Sequence, residues 1–316
     1  MTKHRLNFID LIYLALLRAL SFLFRLLPRS ACLRMGQALG GLVFRLDRKH
    51  RRLALANLDT AFGPAADPQA RRLLARDSFR HFGRVMADNL KWTRLPAASR
   101  AGLLTVEGEE HIRRVIGAGH GGLIFTAHFG NWEVAAEAVA ALAPLNVVAR
   151  PLDNPLVEAE VARFRRRLGA RIISKFQAAR PILQALRRNE LVAILIDQNV
   201  LRSQAVFVDF FGRPAATTPA PAAFHLRSRA PLVPVFCLPS PRSTYRVRIG
   251  EPLTFEPGAD FDRDVLKITQ ACTKIIETEI RKNPGLWFWF HNRWKSRPEA
   301  KTDRAGSNAG NSAEKG

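Results

Sequence analysis

Cysteine is scarce: Cys32, Cys237 and Cys272 are the three in a chain of 316 residues. They are too few and too scattered for a disulfide framework or a paired-cysteine metal site, and a reducing compartment is the simple expectation. Cys237 stands inside the apolar run PLVPVFCL and reads as a core residue with no partner motif that would make it a nucleophile. Familiar catalytic signatures are missing too, since the chain has no G-x-S-x-G elbow and no P-loop. The glycine-rich run from Gly117 to Gly122 precedes a strand-like segment, whereas a dinucleotide fingerprint must follow one, so it reads as a turn. Acidic residues are also in short supply. Asp and Glu number 27 against 49 Lys and Arg, a formal net charge of +22, which calls for an anionic partner surface. Nucleic acid and anionic lipid both qualify on charge alone.

What is present is alternation. Helical patterns at about 68–92, 131–142, 154–168, 179–188, 215–228 and 262–283 are separated by short apolar runs at 122–127, 146–149, 171–174, 191–197, 231–237 and 244–250. Such alternation predicts an α/β fold with a central mixed, largely parallel sheet flanked by helices and finished by antiparallel strands. No internal repeat is visible. The division expected is 1–47 as membrane-anchoring helices, 48–296 as the main domain and 297–316 as a disordered polar tail rich in Gly and Ser.

The N-terminus favours lipid. Residues 8–27 are almost continuously apolar but carry Asp10, Arg18 and Arg25. Roughly 20 apolar residues suffice to span a bilayer, yet central charges are costly, so the segment reads as a helix in the interface, a tilted anchor with snorkelling arginines, or a buried core helix. A second apolar helix follows at 31–46, then a basic cluster at Arg48, Lys49, Arg51 and Arg52, which fits an anionic leaflet or a solvated helix end. The other basic clusters, at 163–167 and 293–297, are spread over the α/β pattern without a nucleic-acid reading element.

The segment GGLIFTAHFGNWEVAAEAVAAL puts His128 and Glu133 at the seam between a strand and a helix. Within one α-helix five positions would turn the two residues roughly 140° apart, so His128 belongs in the loop. Gly130 gives the backbone its bend, Asn131 is suited to cap the helix, and Glu133 falls in the first turn, within reach of the imidazole. A His held by a carboxylate at one ring nitrogen presents the other as a proton acceptor. The same residues also fit a plain loop histidine and a glutamate placed by the helix dipole.

HFGNWE resembles the H-x4-E/D signature of the glycerolipid acyltransferase superfamily. The blocks at 148–173, 192–199, 205–236 and 287–299 are similar, in order and spacing, to the lipid A biosynthesis acyltransferases that add late acyl chains. The resemblance implies a glycerol-3-phosphate acyltransferase-like fold, an enzyme at the cytoplasmic face of a Gram-negative inner membrane, and a lipid A precursor as acceptor. It implies no cofactor, acyl carrier protein as partner and donor, with acyl-CoA as the alternative thioester, and no nucleic acid. His128 is then the general base and Glu133 its orienting carboxylate. Arg165, counted from Arg150-Pro151, supports an oxyanion or a phosphate; Arg163 and Arg166 are its neighbours in register. Asn131 and Arg150 complete the substrate-binding set. Asp197, at the end of LVAILI, is a supporting residue expected to pair with Arg165, although Ile196 stands where the family commonly has Pro. Phe207, Phe210 and Phe211 fit either an acyl channel or the core, and Trp287, Trp289, His291, Arg293, Trp294 and Lys295 suit a membrane interface. Other acceptors, a lysophospholipid or glycolipid, and a non-enzymatic basic binding protein are the alternative readings.

Overall fold

A computed structural model describes residues 8–63 and 67–298. The tail expected from 297 lies almost wholly outside them. Helices α1 (Phe8–Leu26), α2 (Arg29–Leu46), α3 (Arg48–Phe62), α4 (Pro68–Trp92) and the short α5 (Ala97–Ala101) precede strand β1 (Leu104–Glu107). Next come α6 (Glu109–Gly117), β2 (Gly122–Thr126), α7 (Trp132–Ala140), β3 (Leu145–Ala149) and α8 (Pro155–Arg167). The chain continues through β4 (Ala170–Ser174), α9 (Ala179–Arg187), β5 (Leu191–Leu195), the hairpin β6 (Val206–Phe210) and β7 (Arg213–Thr217), and α10 (Ala220–Ser228). Then follow β8 (Leu232–Ser240), β9 (Thr244–Ile249) and α11 (Phe261–Lys282).

Seven strands form one sheet in the order β1-β9-β8-β2-β5-β3-β4. All neighbours are parallel except β8 and β9, which run antiparallel. The antiparallel pair is therefore internal and not a finishing edge, because β1 adds to β9 in parallel on the outside. Both faces are covered, which is why GLIFT is apolar without alternation and buried at every position. Leu123 and Phe125 enter a core with α9, α10 and α11, while Ile124 enters a second core with α7.

Local sequence chemistry sets the helix starts. Asp67 accepts from Gln69 N and Ala70 N at 3.0 and 3.1 Å ahead of Pro68, and Asn154 does the same for α8 ahead of Pro155. The helix expected over 215–228 begins only at Ala220. Phe211 and Gly212, with φ of 58° and 75°, instead make a two-residue turn that pairs β6 with β7. Phe210 and Phe211 are buried in the core, and none of the three phenylalanines Phe207, Phe210 and Phe211 lines the cavity described below, so the acyl-channel reading of them is corrected.

No helix among the described residues is long and apolar enough to cross a membrane. Helix α1 lies against the domain: Lys91 Nζ donates to the carbonyls of Leu27 and Arg25 at 2.8 and 3.1 Å, and Arg18 meets Glu160 at 3.4 Å. Its other side leaves Ile9, Leu11, Tyr13, Leu16 and Phe22 exposed. The aromatic C-terminal run does not face a membrane as expected, because Trp287, Trp289 and Arg293 are buried. Arg293 donates to Ala216 O and Thr217 Oγ1, and its burial brings its pKa down to about 10.

Candidate active site

His128 stands in the loop after β2, at the carboxyl edge of the sheet where ligands of open α/β folds gather. The turn needs glycine at 130: φ is +59°, and a Cβ there would fall 1.7 Å from the carbonyl oxygen of Cys237. His81, buried beneath, donates from Nε2 to Gly130 O at 3.1 Å. Burial brings its pKa down to about 4. Asn131 caps α7 as expected, its side-chain oxygen accepting from Val134 N at 3.3 Å. Its amide nitrogen is in turn held by Asn89 Oδ1 and Tyr245 Oη at 3.1 and 3.3 Å. Tyr245 donates to Asp88 at 2.6 Å, and Asp88 receives a two-pronged bond from Arg29, both prongs at 2.7 Å. A buried polar chain thus ties the start of α2 to the cap of α7.

The partner of His128 is Asp197, not Glu133. Asp197 follows β5, which pairs in parallel with β2, so both loops leave the sheet at the same edge. Its Oδ1 lies 2.9 Å from His128 Nδ1, and its Oδ2 accepts from His128 N at 2.9 Å and from Trp287 Nε1 at 2.8 Å. Asp197 is buried, and although burial opposes its ionisation, the contacts from His128 and Trp287 hold its carboxyl below the usual range. An ionised acceptor at Nδ1 puts the imidazole proton on Nδ1 and leaves Nε2 with a lone pair. The Gln198 amide nitrogen, 3.4 Å from Nε2, faces that lone pair as a donor. Trp132 and Phe288 flank the ring, with centroids at 5.2 and 6.1 Å.

Glu133 lies in the first turn of α7 as expected, but it turns to α8. Arg165 Nη2 reaches its Oε1 at 2.7 Å, and Arg165 Nε lies 3.1 and 3.2 Å from its two oxygens. Trp132 Nε1 adds a bond to Oε1 at 3.2 Å. The pairing of Asp197 with Arg165 is therefore corrected as well. The reason in both cases is strand order: β5 lies beside β2, whereas α8 follows β3 one strand further out. Arg163 meets Glu160 on an exposed face and is not part of the site.

His128, Glu133, Arg165 and Arg150 line one cavity of about 690 Å³. Its inner wall is apolar, with Val139, Leu145, Val147 and Ala193 among its residues, and its polar rim includes Gln198, Lys175 and His291. Arg150 is exposed and paired with Asp153 at 2.8 Å. Asp197 and Asn131 do not line the cavity; Asp197 contacts it through His128. Sequence reasoning had missed Gln198 and Trp287 as site residues; their adjacency to Asp197 and their place in the WFWF run were the available signals. His291 Nε2 accepts from Asn199 N at 3.1 Å, and burial lowers its pKa. The arrangement provides an oriented proton acceptor, a cation and an apolar pocket around one space. No cluster of side chains suited to a metal ion occurs among the described residues.

Comparison with known proteins places the chain among acyltransferases. A family model described as bacterial lipid A biosynthesis acyltransferase matches residues 2–296. A lipid A biosynthesis lauroyltransferase of Escherichia coli is 29% identical over 88% of this chain and 90% of its own length. A lipid A biosynthesis acyltransferase of Haemophilus influenzae is 28% identical over 87% and 88%. A phosphatidylinositol mannoside acyltransferase of Mycobacterium tuberculosis is 25% identical over 73% and 72%.

Proposed function

The chain belongs to the bacterial lipid A biosynthesis acyltransferase family, and on that premise we propose that it moves a fatty acyl chain from an acyl carrier protein thioester to a hydroxyl of a lipid A precursor, with His128 as general base. The observation that carries this reading is the His128–Asp197 contact of 2.9 Å at Nδ1, with Nε2 facing an apolar cavity. Nε2 takes the proton of the acceptor hydroxyl as its oxygen attacks the thioester carbonyl. The C–O bond forms, the C–S bond breaks, and the proton returns to the leaving sulfur. Arg165, fixed by Glu133 at the cavity wall, meets the negative charge that develops on the carbonyl oxygen, or a phosphate of the acceptor. Asp197 orients His128 and balances its positive charge. The apolar inner wall receives the acyl chain. A direct transfer needs no nucleophile on the protein, in keeping with the lack of a serine elbow and the burial of all three cysteines. The donor is a small acidic protein, which suits a chain of net charge +22. Helix α1, with its exposed apolar side, lies on the cytoplasmic surface of the inner membrane.

The relatives that act on phosphatidylinositol mannosides make another glycolipid acceptor the second reading, with the same chemistry. The test is transfer by purified protein from labelled acyl carrier protein thioester, and separately from acyl-CoA, to a tetra-acylated lipid A precursor and to a lysophospholipid. Product on the lipid A precursor, lost in His128→Ala, is the expected result. Product on the lysophospholipid alone would move the acceptor, and equal product with the variant would end the mechanism.

A further inference from the structure

A second concave site lies away from the reaction cavity, between α2 and α4. The two helices meet through Gly36, Gly40 and Gly83: a Cβ on Gly40 would come within 2.1 Å of Phe79 O, and one on Gly83 within 2.2 Å of Gly36 O. This close approach brings two rows of arginine together. Arg34 and Arg45 on α2 and Arg76 and Arg80 on α4 line a groove of about 450 Å³, which shares no residue with the cavity around His128.

Three of the four charges in the groove are uncompensated. Arg34, Arg45 and Arg80 have no carboxylate partner among the described residues; Arg76 has the neighbouring Asp77 at 3.5 Å, and its Nε is buried without a hydrogen-bond partner. At Arg29, Arg100, Arg165 and Arg188, by contrast, a carboxylate stands within 3.0 Å. Like charges gathered in a concavity repel one another, and an anion between them removes the repulsion and supplies acceptors to the guanidinium groups. The border of the groove says what carries that anion. At 100° per residue, the face of α2 next to Arg34, Ala38 and Arg45 presents Leu39, Leu42, Val43 and Leu46, between 43% and 72% exposed. An apolar strip beside a basic groove suits an amphiphile, with phosphate in the groove and hydrocarbon against the strip. A nucleic acid or an acidic protein would meet the strip at a loss.

We propose that the α2–α4 groove binds the phosphate headgroup of an anionic glycerophospholipid of the membrane, a site distinct from the reaction cavity. The proposal rests on the membrane reading of α1 and adds a headgroup preference to it. It makes attachment depend on lipid charge as well as on apolar burial, and it seats α2 as well as α1 on the bilayer.

The test is co-flotation of the full chain with phosphatidylcholine vesicles, with and without phosphatidylglycerol. Two variants of equal charge change are compared with wild type: R34Q/R45Q/R76Q/R80Q in the groove, and R113Q/R114Q/R229Q/R246Q at paired surface arginines remote from it. Circular dichroism establishes that each is folded, and the single variant R80Q replaces the groove variant if that does not fold. Wild type and the remote variant should bind phosphatidylglycerol vesicles more tightly than neutral ones. The groove variant should lose that preference, binding the anionic vesicles roughly 100-fold more weakly, while R80Q alone should lose part of it. Retention of the preference in the groove variant would overturn the proposal, and so would an equal loss in the remote variant, which would reveal a bulk charge effect. Loss of acyl carrier protein binding by the groove variant with vesicle binding intact would also overturn it. Binding of wild type to neutral vesicles reports α1 separately, so its failure beside a surviving phosphatidylglycerol preference would sink the α1 reading and not the groove.

Discussion

Two side-chain pairs meet at the cavity, and they are assembled by opposite routes. His128 and Asp197 are 69 residues apart in sequence and meet because β2 and β5 are parallel neighbours. Glu133, a first-turn residue of the helix that His128 leads into, turns away and pairs with Arg165 across two helices. The first pair is set by sheet register and closed by the Trp287 donor to Asp197, whose ionised carboxylate draws the imidazole proton to Nδ1. The second is set by helix packing and leaves Arg165 partly exposed on the cavity wall. In the proposed mechanism one pair moves a proton and the other holds a charge, and sequence proximity does not tell which is which.

The largest effect that separates them is on turnover. His128→Ala should abolish transfer, and Asp197→Asn should lower kcat by about 10²–10⁴-fold with little change in KM, measured in the acyl transfer assay. Glu133→Gln should act on stability as well as activity, because it strands Arg165 without its anion. Removing one partner of a buried ion pair costs about 3–5 kcal/mol, and the partial exposure of Arg165 puts the expected value at or below the lower end. Chemical denaturation of E133Q, R165Q and the double variant checks this: the double variant should be more stable than the sum of the single losses allows.

Two smaller effects probe the two ends of the β2–β5 pair. Burial holds His81, beneath Gly130, at a pKa of about 4. Its unfolded value is about 6.5, so the unfolded state binds more protons between the two, and stability falls as pH drops from about 6.5 towards 4. The melting temperature of His81→Gln should not fall over that window. Glu190, at the foot of β5, is held at about 2 by its hydrogen bond from Arg188, with further help from Asn146 and Arg171. Its contribution is present in full above the unfolded value of about 4.3 and is lost as pH falls towards 2. Glu190→Gln should flatten that part of the acid denaturation curve, the smallest change expected here.

The sequence made most of the sheet legible. Apolar runs bounded by turn residues gave β2, β3, β4 and β5 to within two residues at either end, and α4 matches the helical pattern expected at about 68–92. The LTVE strand β1 was not legible, because four alternating residues carry little signal, and neither was the strand β7, whose Ala and Thr residues read as helix. In the site, the loop position of His128, the bend at Gly130 and the cap at Asn131 follow from local chemistry and were legible. The partners of His128 and Arg165 were not, since they depend on the order of strands in the sheet, which no local pattern encodes. Trp287 was hidden for a related reason: an aromatic run beside cations reads as an interface until the fold buries it.

The central claim, that Asp197 and not Glu133 sets the proton acceptor, is tested most directly by the ¹⁵N spectrum of histidine-labelled protein, with the His128 signal assigned from H128A. The account predicts a His128 with the proton on Nδ1 in wild type and in Glu133→Gln, and a loss of that tautomer in Asp197→Asn together with its turnover. A His128 whose tautomer changes in Glu133→Gln and stays in Asp197→Asn would contradict it.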